Sequence, residues 1–247
     1  MKIKGLQKLT LLDYPGHTAC TVFTYGCNFR CPFCHNASLV IKRDNQDDTE
    51  ISEQEFFDFL KKRQGLLDGV CVTGGEPTLQ KDLIEFLKKI KALGYLVKLD
   101  TNGYNPEILG DILDNGICDY VAMDIKTSPE NYDKVSGVND LNFDKIKESI
   151  KLIRDSKIDY EFRTTVVENL HNENDFESIG KILDENDNYY LQSFVDSGDC
   201  IENNFTAAPE DVMAKYLTIV KKYAPKSKLR GIWTKNLKKL YIFIHNI

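Results

Sequence analysis

The chain has 247 residues, 42% of them hydrophobic, which is enough for one large barrel-type domain or two smaller ones with a sizeable core. Its formal net charge of −6 provides no basic face for a phosphate backbone and so does not favour a nucleic-acid partner. The first residues lack the apolar stretch of about 7–15 residues that a signal peptide needs, and no run reaches the ~20 apolar residues of a membrane span. We therefore expect a cytoplasmic protein with no membrane partner.

Strand-like and helix-like runs alternate from about residue 18 onward, which is the pattern of β-strand–α-helix units and a parallel sheet. The predicted strands, rich in β-branched or aromatic residues, are Ala19–Thr24, Gly69–Thr73, Leu96–Leu99, Tyr120–Asp124, Tyr160–Val167 and Tyr189–Phe194. A capping box at Ser52–Glu55 predicts the start of the first helix. Further helices are predicted at Leu79–Leu93, Pro106–Leu113, Phe143–Ile153, Asp175–Leu183 and Pro209–Tyr223.

Six such units without a seventh and eighth predict an α/β fold, an incomplete (β/α)6 barrel of parallel strands with outer helices. Chemistry in such folds sits at the carboxyl ends of the strands. We expect one domain over residues 1–247, with a lead-in at 1–17, a partial barrel at 18–223 and a tail at 224–247. The polar stretch 42–48 is interpreted as a solvated loop, and 235–247 as a docked terminal segment.

Three of the seven cysteines, Cys27, Cys31 and Cys34, lie close together directly after the first predicted strand. Spaced Cys-x3-Cys-x2-Cys, they can place three thiolates on one iron–sulfur cube and leave the fourth iron without a protein ligand. A zinc site with His35 as fourth ligand is the alternative, although adjacent Cys34 and His35 would have to bend back onto one ion. The other cysteines, each isolated in sequence, are interpreted as small buried hydrophobic residues: Cys20, Cys71, Cys118 and Cys200.

Polar residues end the next three predicted strands. The second strand ends in Thr73-Gly74-Gly75-Glu76-Pro77, where two glycines allow close approach of the backbone and a carboxylate can accept from an ammonium. The third ends in Asp100-Thr101-Asn102-Gly103 and the fourth in Asp124-Ile125-Lys126, so all three would deliver polar groups to one rim. Each motif alone could also be an ordinary turn or cap.

Taken together, these motifs resemble the radical S-adenosylmethionine (SAM) family, whose signature is Cys-x3-Cys-x-aromatic-Cys with Phe33 here in the aromatic slot. The remaining family motifs follow in order, so that the resemblance covers at least Gly5 to about Phe194. It implies a [4Fe-4S] cluster held by Cys27, Cys31 and Cys34. It also implies that the amino group of SAM is bound by Gly74, Gly75 and Glu76.

Within that family the chain is similar to the glycyl-radical enzyme activating branch. The resemblance implies that Lys126 meets the carboxylate of SAM, and that a monovalent cation lies beside it among Asp100, Thr101 and Asp124. Arg163, on the fifth predicted strand, would add positive charge or touch the adenosine, with a buried salt bridge as the alternative. His35 and Asn36 extend the signature as Cys-His-Asn, where a structural histidine and a proton donor are both open.

The segment Gly5–Gly16 looks like the lead-in of the anaerobic ribonucleoside-triphosphate reductase activating group. Related pyruvate formate-lyase activating enzymes carry Asp-Gly-Pro-Gly there, whereas this chain has Tyr14 in the second place. Asp13 would lie at the barrel mouth, where it either bonds an incoming glycine loop or is an ordinary turn residue.

The implied reaction is reductive cleavage of SAM with formation of a glycyl radical on a partner enzyme, expected to be anaerobic ribonucleotide reductase. A one-electron donor such as flavodoxin or ferredoxin would supply the electron. A pyruvate formate-lyase-type activating enzyme and a radical SAM reaction on a small molecule stay open within this interpretation. A zinc-stabilised binding module without catalysis is the non-enzymatic alternative.

Overall fold

Strands and helices alternate along the chain in the computed structural model, which describes residues 1–41 and 50–231. The strands are β1 (Ile3–Thr10), β2 (Ala19–Thr24), β3 (Gly69–Gly74), β4 (Leu96–Thr101), β5 (Tyr120–Asp124), β6 (Asp159–Val166), β7 (Tyr189–Ser193) and β8 (Lys228–Arg230). The helices are α1 (Ala37–Val40), α2 (Glu53–Lys62), α3 (Leu83–Ala92), α4 (Pro106–Asp114), α5 (Tyr132–Ser136), α6 (Phe143–Asp155), α7 (Glu173–Ile182) and α8 (Glu210–Val220). The predicted loop 42–48 and the predicted docked tail 235–247 lie outside the described residues.

The described strands form one eight-stranded sheet in the order β1 to β8. Neighbours from β2 to β8 pair in parallel, and β1 pairs antiparallel with β2. Within the described part of the chain, β1 and β8 form the two edges of the sheet and do not pair with each other. The predicted parallel α/β architecture and the incomplete barrel are therefore confirmed, and the six predicted strands correspond to β2 through β7.

Two strands were not predicted from the sequence. The lead-in contains β1, whose residues are partly exposed and polar, so it lacks the apolar run that marks the inner strands. The tail begins with β8, which has three residues and pairs with β7. Both are edge strands that depend on a neighbour for their hydrogen bonds, and neither carries a strong local signal.

The predicted helix over Leu79–Leu93 is shorter in the structure. A 3-10 turn covers Pro77–Leu79, and α3 begins only at Leu83. Gln80 between them is extended, and its side chain donates to the carbonyl of Tyr25 at 2.7 Å. A tertiary contact with the end of β2 thus overrides the helical periodicity at this point.

The capping box predicted at α2 is present: the Ser52 hydroxyl accepts from Glu55 N–H, and the Glu55 carboxylate accepts from Ser52 N–H at 2.9 Å. The apolar faces of the helices pack on one continuous core with the inner strands. Because β2 through β8 run in parallel, their carboxyl ends meet at one edge of the sheet. None of the helices within residues 1–41 and 50–231 has the length and apolar character of a bilayer-spanning segment.

Candidate functional site

A cavity of ≈ 510 Å³ opens at the carboxyl ends of the strands. It brings together every site residue predicted from the sequence: Cys27, Cys31, Phe33, Cys34, Gly74, Gly75, Glu76, Asp100, Thr101, Asp124, Lys126 and Arg163. These residues come from four strands or the turns after them, β3 to β6, and from the loop after β2, and they span more than half of the chain. Parallel topology therefore assembles in space what the sequence distributes over five βα units.

The loop after β2 carries the three cysteine thiols, and we call residues 26–38 the cluster loop. Its cysteines are free of disulfide bonds, and two N–H groups approach Cys27 Sγ: the backbone of Phe29 at 3.3 Å and the Asn102 amide at 3.8 Å. Burial raises the pKa of the Cys27 thiol to about 12 and that of the Cys31 thiol to about 11. Burial also raises the pKa of Cys34. Without a metal, these thiols are therefore neutral at pH 7, and metal binding would displace their protons.

Two close backbone contacts hold the first half of the cluster loop. On one side, Glu76 N–H donates to the Gly26 carbonyl at 2.8 Å, and a Cβ on Gly75 would lie 2.0 Å from that same oxygen. On the other side, Arg30 N–H donates to the Ser136 carbonyl at 2.8 Å, directly before Gly137 with φ of 69°. Glycine at position 75 is thus required by the approach of the loop and not by its own dihedral angles.

Glu76 is buried, with 1% of its surface exposed, and neutral donors surround it. Its Oε1 accepts from Thr78 Oγ1 at 2.7 Å and from Thr101 Oγ1 at 2.8 Å, and its Oε2 accepts from Asn102 N–H at 2.7 Å. Within the described residues, no cationic side chain lies at ion-pair distance from this carboxylate. Burial raises the pKa of Glu76, and the hydrogen bonds counteract it only in part. Among the described residues, this carboxylate therefore has neutral hydrogen-bond donors and no resident cation.

The opposite side of the cavity is rich in cations. Arg163 joins two carboxylates, with Nε 2.5 Å from Asp124 Oδ1 and Nη2 3.0 Å from Asp100 Oδ2. Lys126 Nζ lies 2.8 Å from Asp124 Oδ2, and Lys98 pairs with Asp100. The salt bridge left open as the alternative for Arg163 is therefore present, with the Arg163 side chain 16% exposed on the cavity wall.

This ion-pair network extends away from the cavity through Glu161, which forms a two-pronged pair with Arg230 at 2.7 Å for each contact. The linked groups comprise four cations, Lys98, Lys126, Arg163 and Arg230, and three carboxylates, Asp100, Asp124 and Glu161. Although burial disfavours its charged form, Asp124 has a pKa well below its usual range because of Arg163 and Lys126. Burial likewise opposes the charge on Lys126, yet Asp124 holds the pKa of this ammonium above its usual value. Within the described residues, this network therefore carries one more positive than negative charge.

Asp13 and His35, whose roles the sequence left open, also line the cavity. Asp13 Oδ2 accepts from Thr21 Oγ1 at 2.5 Å, so this carboxylate is anchored to β2. Burial, with a smaller contribution from Lys126, lowers the pKa of His35, so its imidazole is neutral at pH 7. Three of the isolated cysteines, Cys20, Cys71 and Cys118, are buried as predicted, and Cys200 is partly exposed.

Two residues that support the site, Asn102 and Lys98, were given no role of their own by reasoning from the sequence. Asn102 donates from its backbone to Glu76 and from its side chain to Asn28 at 2.7 Å, and it thereby joins the cluster loop to β4. Lys98 is 2% exposed and neutralises Asp100 from inside the sheet. Its signal was available, because a lysine interrupts the apolar run Leu96–Leu99 of an otherwise buried strand.

The donor set fits an iron–sulfur cube. Three thiols line one cavity, N–H groups point at one of the sulfurs, and space remains beside them for a further ligand. In the part of the chain that the structure describes, no group of three or more Cys, His, Asp or Glu side chains is gathered as ligands of one metal ion.

Comparison with known proteins places this site in a family. Residues 21–184 match the model of the Radical SAM superfamily. The chain is 32% identical over 240 residues to a Methanocaldococcus jannaschii protein named "Putative glycyl-radical enzyme activating enzyme MJ1227", covering 93% of this chain and 96% of the relative. A second protein of that organism with the same functional name is 31% identical over 210 residues, which are 82% of this chain and 77% of the relative.

Among solved structures, Streptococcus suis SuiB bound to S-adenosylmethionine has a similar fold, with a TM-score of 0.62 at 15% identity. The match covers 84% of this chain and 49% of SuiB, so the chain spans about half the length of that structure. The family match covers most of the residues that form the cavity, including the cluster loop and the ends of β2 through β6. The chain belongs to the radical SAM superfamily.

Proposed function

We propose that this protein is an activase that cleaves SAM reductively at a [4Fe-4S] cluster and generates a glycyl radical on a partner enzyme. The observation that carries the proposal is the cavity itself, whose lining combines three free thiols, the Glu76 carboxylate and the cations Lys126 and Arg163. The names of the two Methanocaldococcus relatives support the activase assignment.

Cys27, Cys31 and Cys34 would hold the cluster and leave one iron open to SAM. When bound, the cluster would supply the one electron for reductive cleavage of SAM to methionine and a 5′-deoxyadenosyl radical, which in turn would abstract a hydrogen atom from a glycine Cα of the partner and leave 5′-deoxyadenosine and the glycyl radical. The residues of this chain bind and orient SAM and exclude water while this occurs.

The charges of the cavity are complementary to a zwitterionic amino acid. The buried Glu76 carboxylate would accept from the ammonium of the methionine part, together with backbone groups at Gly74 and Gly75. On the other side, Lys126 would meet the carboxylate, and Arg163 would hold Asp124 and Asp100 in place beside it. Phe33, 4% exposed on the cavity wall, would shield the cluster from water.

A monovalent cation beside SAM is part of the proposal. Asp100 and Asp124 both line the cavity, which supports it, while Thr101 directs its hydroxyl to Glu76. The test is SAM binding in buffers that contain Na⁺, K⁺ or only tetramethylammonium. Equal affinity in all three would contradict a metal cation at this position.

The partner must place a backbone loop inside the cavity. The open edges of the sheet support such an approach, and Asp13 and Gln7 extend the cavity lining to the β1 side. We propose anaerobic ribonucleotide reductase as the partner because the lead-in around Tyr14 resembles that activating group. Flavodoxin or ferredoxin is the proposed electron donor.

Cluster assembly and SAM cleavage are tested first. After anaerobic reconstitution we expect about four irons and four sulfides per chain, and 5′-deoxyadenosine on addition of dithionite and SAM. Cys31→Ala should abolish both. Cys118→Ala is the matched control, since that buried thiol lies outside the cavity lining. One zinc without sulfide, or cleavage that persists in Cys31→Ala, would refute the assignment.

The glycyl partner is tested by electron paramagnetic resonance. The reduced, SAM-loaded protein is mixed with anaerobic ribonucleotide reductase or with pyruvate formate-lyase, and the glycyl doublet is measured. We expect the doublet with the reductase and none with a reductase whose radical glycine is replaced by alanine. A doublet with the lyase alone would reassign the partner, and silence with both would favour a small-molecule substrate.

A further inference from the structure

The segment that follows β7 is tied to the second half of the cluster loop. We call residues 195–202 the strap. The strap and the cluster loop are more than 160 residues apart in sequence, and both backbone and side-chain groups form the hydrogen bonds between them. The hydrogen bonds are Glu202 N–H to Pro32 O at 2.9 Å, Ser197 Oγ to His35 O at 3.2 Å, Ala37 N–H to Asp199 O at 3.2 Å, and Ser38 N–H to Asp199 Oδ2 at 3.2 Å.

Asp199 accepts two of these bonds from the first turn of α1. Its backbone carbonyl accepts from Ala37 N–H, and its carboxylate accepts from Ser38 N–H. A helix begins with N–H groups that have no partner within the helix, and a side chain at the N-cap usually accepts from one of them. The N-cap residue of α1, Asn36, makes no such side-chain bond. The cap of this short helix is instead provided by Asp199, from a different part of the chain.

Cys34 lies two residues before Asn36, so the orientation of its thiol depends on where α1 begins. We infer that Asp199 is a positioning residue that holds Cys34 in the geometry of a cluster ligand, which rests on the proposed ligand role of Cys34. The strap also reaches the reaction cavity, because Val195 and Ser197 line it and Val195 is 68% exposed. A partner loop that enters beside Val195 therefore contacts the same segment that holds the cluster loop.

The decisive experiment uses the full chain without metal, so it does not depend on the proposed reaction. Each cysteine is alkylated with limiting iodoacetamide, and its rate is followed by mass spectrometry. Asp199→Ala should raise the rate at Cys34 about fivefold, the population change expected when one cap hydrogen bond is lost, with Cys20 and Cys118 unchanged. Burial and, to a smaller extent, the negative charge of Asp199 raise the pKa of Cys34. Asp199→Asn removes the same charge but keeps an oxygen acceptor, so it should cause a smaller rise in the alkylation rate. An equal rise in the two variants would assign the effect to charge and overturn the inference.

Ser52→Ala is the matched control, because it removes the cap of α2 and leaves the cluster loop untouched. Circular dichroism verifies that each variant is folded. A wild-type rate at Cys34 in folded Asp199→Ala would overturn the inference, and so would an equal rise in Ser52→Ala.

In the reconstituted enzyme the same inference predicts about fivefold faster iron release to a chelator in Asp199→Ala than in wild type. The electron paramagnetic resonance spectrum of the reduced cluster should also change. A wild-type release rate with an unchanged spectrum would overturn the inference. If instead no variant takes up a cluster, the proposed function fails while the alkylation rates still decide the role of Asp199.

Discussion

The carboxylates on the two sides of the cavity have opposite electrostatic surroundings. Glu76, between β3 and β4, is satisfied by neutral hydroxyl and backbone donors, and burial raises its pKa. Asp124, at the end of β5, is paired with Arg163 and Lys126, and its pKa is lowered. A carboxylate that lacks a resident cation can recruit one from a ligand, whereas a paired carboxylate fixes the position of the cation beside it.

Gly75→Ala should have the largest effect, because it would disrupt the close contact between the turn that carries Glu76 and the cluster loop. The added Cβ would lie 2.0 Å from the Gly26 carbonyl oxygen, so the loop and its cysteines must move. We expect loss of the iron–sulfur cluster, measured as iron and sulfide per chain after reconstitution.

Gly110→Ala in α4 is the control for that substitution. Among the described residues, its Cβ would meet only Leu152 Cδ1, at the ordinary contact distance of 3.7 Å, and alanine favours a helix by about 0.5–1 kcal/mol over glycine. Cluster content in Gly110→Ala should equal that of wild type. A full cluster in Gly75→Ala would show that the contact with Gly26 does not position the loop.

Arg163→Met would break the cation-rich side. It removes one partner from Asp100 and one from Asp124, while Lys98 and Lys126 stay paired with them, so we expect a cost of about 1.5–3 kcal/mol, the contribution of a hydrogen bond to a charged group. The free energy of unfolding of the metal-free chain in urea measures this cost. Lys215→Met is the control, because its pair with Glu173 has side chains 59% and 52% exposed and should contribute only about 0–1 kcal/mol. Equal costs in the two variants would contradict a coupled buried network.

Glu76→Gln and Lys126→Met test which group of SAM each side of the cavity binds. Each should weaken SAM binding by about 1.5–3 kcal/mol, the contribution of a hydrogen bond to a charged group. Isothermal titration of the cluster-loaded protein compares SAM with decarboxylated SAM. Lys126→Met should remove most of the preference for the carboxylate-bearing ligand, and Glu76→Gln should retain it. The reverse pattern would exchange the roles assigned to the two sides.

The smallest effect concerns pH. Because the folded pKa of Glu76 is raised above its usual 4.5, ionisation of this group disfavours the folded state, and that cost appears as pH rises through 4.5 towards the folded pKa. Glutamine at this position has no such ionisation. The metal-free Glu76→Gln variant should therefore gain stability relative to wild type between pH 4 and pH 7, measured by urea unfolding. A difference that is constant with pH would show that Glu76 does not titrate in this way.

Much of the fold and the site could be predicted from local pattern. Apolar runs of strand length and amphipathic helical runs indicated β2 through β7 and the six longer helices α2, α3, α4, α6, α7 and α8, because both periodicities are properties of neighbouring residues, whereas the short helices α1 and α5 were not predicted. Edge strands β1 and β8, and the break before α3, depend on partners elsewhere in the chain. Their local sequences carry little signal.

The sequence by itself determined which groups reach the cavity. The cysteine spacing, the Gly74-Gly75-Glu76 turn and the Asp124-Ile125-Lys126 turn each follow a strand, and parallel pairing brings strand ends to one edge. Only the tertiary structure decided how their charges are distributed, since Arg163 pairs with Asp100 and Asp124 while Glu76 receives neutral donors. It also decided that Asp199 caps α1 across the chain. Both outcomes depend on distances between residues remote in sequence, which no local pattern encodes.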